Sequence, residues 1–164
     1  MNEAKFKVDK NVLTVERSFN APVDLVWKAW TRPELLDQWW APQPWKSETK
    51  EMNFVEGGHR LYAMVGPEGE KHWGRTNYTK IVPEVKFDGD DVFCDENGAV
   101  NEALPVANFT NSFLSKGDKT QLIMVTHYAS EADLEAVIKM GMKEGLTMTM
   151  NQLDELFAAI LSKK

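Results

Sequence analysis

Disulfide bonding is the first thing this chain lacks the means for. Its single cysteine, Cys94, can form no internal bridge, and a reducing, cytoplasmic setting is the simple expectation. Positive charge is also in deficit. Nineteen Lys and Arg stand against 25 Asp and Glu, a net charge of −6. No basic cluster interrupts that balance, so neither nucleic acid nor an anionic membrane surface is an expected partner. No apolar run approaches the roughly eighteen residues of a membrane span, and Met1–Lys10 has no apolar centre of the kind a signal peptide carries. Histidines are few, His59, His72 and His127, and neither His-x-x-x-His nor Cys-x-x-Cys occurs, so no metal site and no cofactor are expected. The absence of Gly-x-Gly-x-x-Gly, a P-loop and Gly-x-Ser-x-Gly leaves nucleotide binding and triad hydrolysis without support. Cys94 stands beside Asp95 and Glu96, whose charges raise a thiol pKa, and is no nucleophile on this reading.

Aromatic residues, by contrast, are crowded. Five of the six tryptophans, Trp27, Trp30, Trp39, Trp40 and Trp45, fall within nineteen residues. So much ring area needs a core or a cavity wall to face. A chain of 164 residues suits one domain, residues 1–164, and a domain of that size buries about 68–70% of its unfolded surface.

The periodicities say how that surface is organised. Asn11 to Phe19 alternates, with Leu13, Val15, Arg17 and Phe19 on one mostly apolar face: a half-buried strand. Pro22 and Asp24 suit the first turn of a helix, and Val23, Val26, Trp27 and Trp30 recur at helical spacing. Thr31 is the expected N-cap of a second short helix from Pro33, carrying Leu35, Leu36, Trp39 and Trp40 and ended by Pro42 and Pro44. Period two then sets in, with strands expected over Lys46–Met52, Gly58–Val65, Trp73–Val82, Val85–Phe93, Val106–Ser115 and Gln121–Ala129. Tight turns between them imply an antiparallel sheet. The polar stretch Asp95–Leu104 reads as a loop, and the acids Asp88, Asp90, Asp91, Asp95 and Glu96 as its solvated edge. Ser130, with Asp133 three residues on, caps a helix through Val137. Met142, Leu146, Met150, Leu153, Phe157 and Ile160 then mark a long amphipathic helix ending near Ser162. The expected fold class is α+β, a helix-grip: a curved antiparallel sheet of about six to seven strands around a long C-terminal helix, with two short helices after the first strand.

Several motifs sharpen this. Phe19-Asn20-Ala21-Pro22, Val26-Trp27-Lys28-Ala29-Trp30-Thr31, Pro33-Glu34, Gln38-Trp39-Trp40-Ala41-Pro42, Glu56-Gly57-Gly58, Met64-Val65-Gly66-Pro67-Glu68-Gly69, Lys80-Ile81-Val82-Pro83 and Thr120-Gln121-Leu122 follow one another in order. Together they closely resemble the family of homologues of the activator of heat-shock-protein-90 ATPase, in the START/polyketide-cyclase (SRPBCC) superfamily. The resemblance runs from about Val12 to Leu161. It implies the helix-grip fold and an internal cavity, since members of the superfamily bind lipids, sterols and polyketides, and some cyclise or oxidise them. It also raises a chaperone as a partner. The eukaryotic co-chaperone carries an additional N-terminal domain with the activating motif, whereas this chain starts at the helix-grip domain, so stimulation of the chaperone ATPase by this chain alone is not expected. Members commonly have an aromatic residue two positions before Tyr62, where this sequence has Arg60.

A cavity between the sheet and the C-terminal helix would be lined by Trp39 and Trp40 from the short helices, Arg60, Tyr62 and Met64 from one strand face, Tyr78 from the next strand, and Met142, Leu146 and Met150 from the long helix. The same residues can equally form a filled core. Arg60 shares a strand face with Tyr62 and Met64, so it points inward if the Gly57-Gly58 bend leaves the alternation intact. A buried guanidinium needs an anion: a ligand carboxylate or phenolate on one reading, an internal acid such as Glu56 on the other. His59 and His127 alternate with inward residues and face solvent. The expected function is binding of a small, mainly apolar or amphipathic molecule, with no catalytic residue assigned. A cyclase or isomerase acting on a hydrophobic substrate and a chaperone accessory factor are the alternatives.

Overall fold

The computed structural model describes residues 4–163; the first three residues of the Met1–Lys10 tract considered above, and Lys164, lie outside them. Eight strands form one antiparallel sheet: β1 (Lys5–Asp9), β2 (Val12–Phe19), β3 (Lys46–Met52), β4 (His59–Val65), β5 (Lys71–Val82), β6 (Lys86–Cys94), β7 (Ala107–Lys116) and β8 (Lys119–His127). Their order across the sheet is β1-β2-β8-β7-β6-β5-β4-β3. Four helices complete the chain: α1 (Val23–Thr31), α2 (Pro33–Leu36), α3 (Glu131–Lys139) and α4 (Met142–Ser162). The helix-grip arrangement is therefore present, with one strand more than the six to seven expected. The additional strand is β1. Its residues are mostly exposed, so no apolar alternation marks it, and it owes its conformation to pairing with β2 from Lys5↔Glu16 to Asp9↔Val12.

The register carries one face through the whole sheet. Leu13, Val15, Arg17 and Phe19 of β2 pair with Thr126, Met124, Leu122 and Thr120 of β8. Those in turn lie opposite Phe109, Asn111, Phe113 and Ser115 of β7. Further across, Gly89 pairs with Phe109 and Asp91 with Ala107, Asp91 pairs with Thr76 of β5, and Thr76 with Arg60 of β4. This is the concave face. Helix α4 lies on its β2 side. Met150, Leu153 and Phe157 are buried, and the Phe157 ring meets Phe19 edge-on at 5.7 Å. Arg17, 4% exposed, donates to Asn151 Oδ1 at 2.9 Å and to the Asp154 carboxylate. These contacts fix the rotation of α4 about its own axis.

The tryptophan tract covers the rest. Trp27 meets Phe54, Phe87 and Phe113 edge-on at 5.8, 5.8 and 5.2 Å, the geometry that ring quadrupoles favour. The short helices differ from expectation. Thr31 is not the N-cap of α2; its hydroxyl donates back to Trp27 O at 2.8 Å and closes α1, as threonine does within a helix. Arg32 takes the capping position, and α2 is a single turn. Trp39 and Trp40 therefore lie in the turns after it, and Trp39 Nε1 donates to Ala29 O at 2.9 Å. The Gln152 amide on α4 stitches this segment down, donating to Trp39 O and Ala41 O at 3.1 and 2.9 Å and accepting from Gln43 N at 2.9 Å. Ser130 caps α3 as its sequence suggests, accepting from Asp133 N at 3.1 Å. No helix among the described residues is long and apolar enough to cross a membrane.

Candidate functional site

Strands β4, β5 and β6 bring polar side chains into the otherwise apolar concave face. Arg60 is 1% exposed, so the alternation does survive the Gly57-Gly58 bend. Its anion is not Glu56, whose carboxylate instead accepts from Ile81 N at 3.0 Å. It is Asp37, just after α2, at 3.2 Å from Arg60 Nη2. Ser47 Oγ and Thr49 Oγ1 of β3 accept from Arg60 Nη2 and Nε at 2.8 and 3.1 Å, and Asp37 also accepts from both hydroxyls, at 2.9 and 2.7 Å. The guanidinium stacks over Tyr62, 4.2 Å from the ring centroid, and lies 5.3 Å from that of Trp40. Arg60 is thus largely satisfied inside the protein.

Asp91 is not. The acidic tract of β6 reads as a solvated edge, yet the strand alternates like any other. Phe87, Gly89 and Asp91 turn to the concave side, while Asp90 turns away and accepts from Asn77 Nδ2 at 2.8 Å. Thr76 Oγ1 donates to Asp91 Oδ1 at 2.5 Å. Asp91 Oδ2 has no protein partner among the described residues, and no cation pairs with the carboxylate. Burial pushes the Asp91 pKa up to about 6, with the Asp90 charge adding to the rise and the Thr76 hydrogen bond and the Arg60 charge opposing it. Burial also raises the neighbouring phenols, Tyr62 and Tyr128 each to about 12, and Tyr78 further. All three are neutral hydroxyls at physiological pH. Cys94, at the end of β6, has its thiol pKa raised chiefly by burial, with Asp95 a smaller contributor. Glu96 is not among the causes, although its place in the sequence suggests that it should be.

Two cavities meet at Asp91. The smaller, about 50 Å³, lies between the sheet and the tryptophan tract, lined by Trp30, Leu36, Trp40, Arg60, Thr76, Tyr78, Asp91 and Asn111 among others. Around it Trp30 Nε1, Trp40 Nε1 and Asn111 Oδ1 are buried without partners. The larger, about 200 Å³, is walled by Tyr62, Met64, His72, Trp73, Gly74, Phe93, Pro105, Tyr128 and Val137 with Asp91. Gly74 makes room for Tyr62: a Cβ there would stand 2.7 Å from the phenol oxygen.

Of the residues expected to line one site, Trp40, Arg60 and Tyr78 meet at the smaller cavity and Tyr62 and Met64 at the larger. Trp39 packs edge-on against Trp30 and Trp40 at 4.7 and 5.4 Å. Met150 is fully buried in the core, with Met142 and Leu146 packed at its margin. None of these last four lines either cavity, because α4 closes down on the β2 side and the open space lies toward β4–β7, beneath Trp40, α3 and the loop before β7. Thr76, Asp91, Asn111 and Tyr128 are the site residues that the sequence reading passes over. The signal for Asp91 is there, in its even spacing from Phe87 and Gly89, but four neighbouring acids mask it.

Comparison with known proteins places this geometry. The family model described as "Activator of Hsp90 ATPase homolog 1-like protein" matches residues 20–158. A solved structure of a protein from Arthrobacter aurescens is 29% identical, with a TM-score of 0.88 over 94% of this chain and 91% of its own. One from Mycobacterium smegmatis is 32% identical, with a TM-score of 0.84 and 94% of each chain covered. One from Staphylococcus epidermidis is 26% identical, also with a TM-score of 0.84 and 94% coverage of both. No curated protein matches the chain.

Proposed function

The chain belongs to the family described as activator of Hsp90 ATPase homolog 1-like protein, and from that premise we propose that it binds a small, mainly apolar molecule in the concave face of its sheet. One observation carries the reading: side chains do not fill that face, and the space left over, about 200 Å³ beside Tyr62 and Tyr128, is walled mostly by rings and aliphatic groups. Ligand pockets more often measure about 300–1,000 Å³, so the fitting occupant is small, on the scale of a single substituted ring. The test has two parts. The protein is purified from its native host without detergent, and co-purified small molecules are identified by mass spectrometry. Indole is then titrated while backbone amide shifts are followed by NMR. Saturable shifts confined to β4–β6 and Tyr128 support the reading; shifts spread over the surface, with no co-purified species, overturn it.

Catalysis by a cyclase or isomerase is the second reading, and Asp91 is what favours it. A carboxyl titrating at about 6 inside a cavity has the right poise for proton transfer near neutrality. A chaperone as partner draws on the family description alone, and a steady-state assay of heat-shock protein 90 ATPase tests it.

A further inference from the structure

The charge inventory of the concave face bears on what the occupant is, given the reading above that the face is a ligand site. Arg17 is neutralised by Asp154 and Arg60 by Asp37. Asp91 is the inward charge left without a counter-ion among the described residues, and it stands where the two cavities meet. We infer that the larger cavity takes a small apolar amine as its ammonium ion, with the charge on Asp91 Oδ2 and the carbon skeleton among Tyr62, Trp73 and Phe93.

Three observations lead there. The first is composition: the larger cavity contains neither Lys nor Arg, and Asp91 is its one carboxylate. A half-buried anion of this kind is costly unless it is neutralised or paired, and an incoming ammonium supplies the pair. The second is the Phe93 ring at the cavity wall, a surface that attracts cations; Tyr62 and Trp73 already carry the Arg60 guanidinium and the Lys50 and Lys71 ammonium groups within 4.2–6.0 Å. The third is the contrast with the smaller cavity. There an acceptor, Asn111 Oδ1, and two donors, Trp30 Nε1 and Trp40 Nε1, all lack partners. A mixed set of that kind in about 50 Å³ suits bound water. Arg60, the guanidinium that lines this smaller space, is already held by Asp37, Ser47 and Thr49. An anionic ligand in the larger cavity would meet the Asp91 charge, which Arg60 offsets only in part.

Protonation sets the pH dependence. The titratable groups around Asp91 are Arg60 and Tyr62 on β4, Tyr78 and His72 on β5, Tyr128 after β8, and, on its own strand but turned to the other side, Asp90 and Cys94. The tyrosines stay neutral near pH 7, with Tyr62 and Tyr128 titrating at about 12. Asp91 titrates at about 6, so amine affinity should rise as pH passes upward through that value and level off above it.

The experiment is calorimetric titration of the full chain with phenethylamine, phenethyl alcohol and phenylacetate, which share one skeleton and differ in the polar end. The amine should bind about ten- to a hundredfold more tightly than the alcohol, as a charge-assisted hydrogen bond allows, and phenylacetate most weakly. Amine affinity should fall about tenfold from pH 7 to pH 5, in wild type and equally in His72→Gln, while Asp91→Asn should abolish both the preference and the pH dependence. Carboxyl-carbon NMR of wild type reads the same coupling without a variant: saturation with phenethylamine should move the Asp91 pKa below its free value. Tighter binding of phenylacetate, equal affinities for amine and alcohol, or an unmoved Asp91 pKa would each overturn the inference and leave the apolar cavity standing. Binding of none of the three would overturn the cavity itself, and the inference with it.

Discussion

Arg17 on β2 and Arg60 on β4 are both buried on the concave face, at 4% and 1% exposure, yet the two ends of that face are built differently. At the Arg17 end α4 comes down onto the sheet. Asp154 and Asn151 meet the guanidinium, and Phe19, Leu153 and Phe157 fill the remaining space at 0–2% exposure. At the Arg60 end the carboxylate comes from a loop residue, Asp37, and the hydroxyls from β3. The next polar group along, Asp91, has only Thr76, and cavities open on either side. A buried charge held by its own counter-ion, as Arg17 is by Asp154, belongs to the architecture. A half-buried charge with one hydrogen bond beside open space costs stability, and such costs concentrate where ligands bind.

The comparison breaks most visibly if the filled end is not filled. Leu153, 0% exposed, should lose about 2–5 kcal/mol of stability on replacement by Ala, the range for well-packed leucines, measured by urea unfolding. Met64→Ala, beside the larger cavity and already half-buried, should cost less than Leu153→Ala because neighbours and solvent can take up the vacated space. Equal losses would mean that the two ends are packed alike.

Removing a charge sharpens the contrast. Asp154→Ala leaves Arg17 buried with Asn151 alone, and Arg17 Nε already lacks a partner. The loss should be about 2–3 kcal/mol, below that for a fully enclosed pair because the Asp154 side chain is 29% exposed. The milder change Asp154→Asn keeps an acceptor for Arg17, and so should recover part of the loss. A change within about 0.5 kcal/mol for the alanine variant, the range of ordinary surface substitutions, would show that the pair does not anchor α4.

Much of this was legible in the residues, and where it was not the reason is physical. Most strands from Lys46 onward and the α4 stripe follow from periodicity, although β4 buries Arg60, Leu61, Tyr62 and Ala63 on both faces. Arg60 reads as inward from the same periodicity. Its partner does not: Asp37 lies 23 residues away in sequence, beyond any local pattern, whereas Glu56 is near in the chain and far from the need. β1 has no buried face to announce it. Thr31 carries a cap-forming side chain, but its hydroxyl can serve the helix behind as well as the one ahead, and tertiary packing chose the former. Asp91 is the instructive omission. Composition around it says solvent and parity says interior; parity prevailed, because a paired strand cannot turn one residue without turning its neighbours.

The smallest expected effect is also the one that separates the two ends by sign. The folded chain holds the Asp91 proton more tightly than the unfolded chain does, since burial lifts its pKa from 3.8 to about 6. Stability from this group is therefore fully present below about pH 4, falls as pH rises through that window to about 6, and is level above it. Asp91→Asn removes the charge but keeps an acceptor for the Thr76 hydroxyl. At pH 7 it should stabilise the protein by about 1–3 kcal/mol, with the lower part of the range favoured because Asp91 is not fully enclosed, while it abolishes any preference for amines. The pH 4 to 6 decline in stability should flatten in the variant, as followed by thermal unfolding across that range. Charge removal would then weaken the filled end and strengthen the open one. If Asp91→Asn instead destabilises the protein at pH 7, the carboxylate is as well met as the Arg17 pair, and the open end has no unpaired charge to offer a ligand.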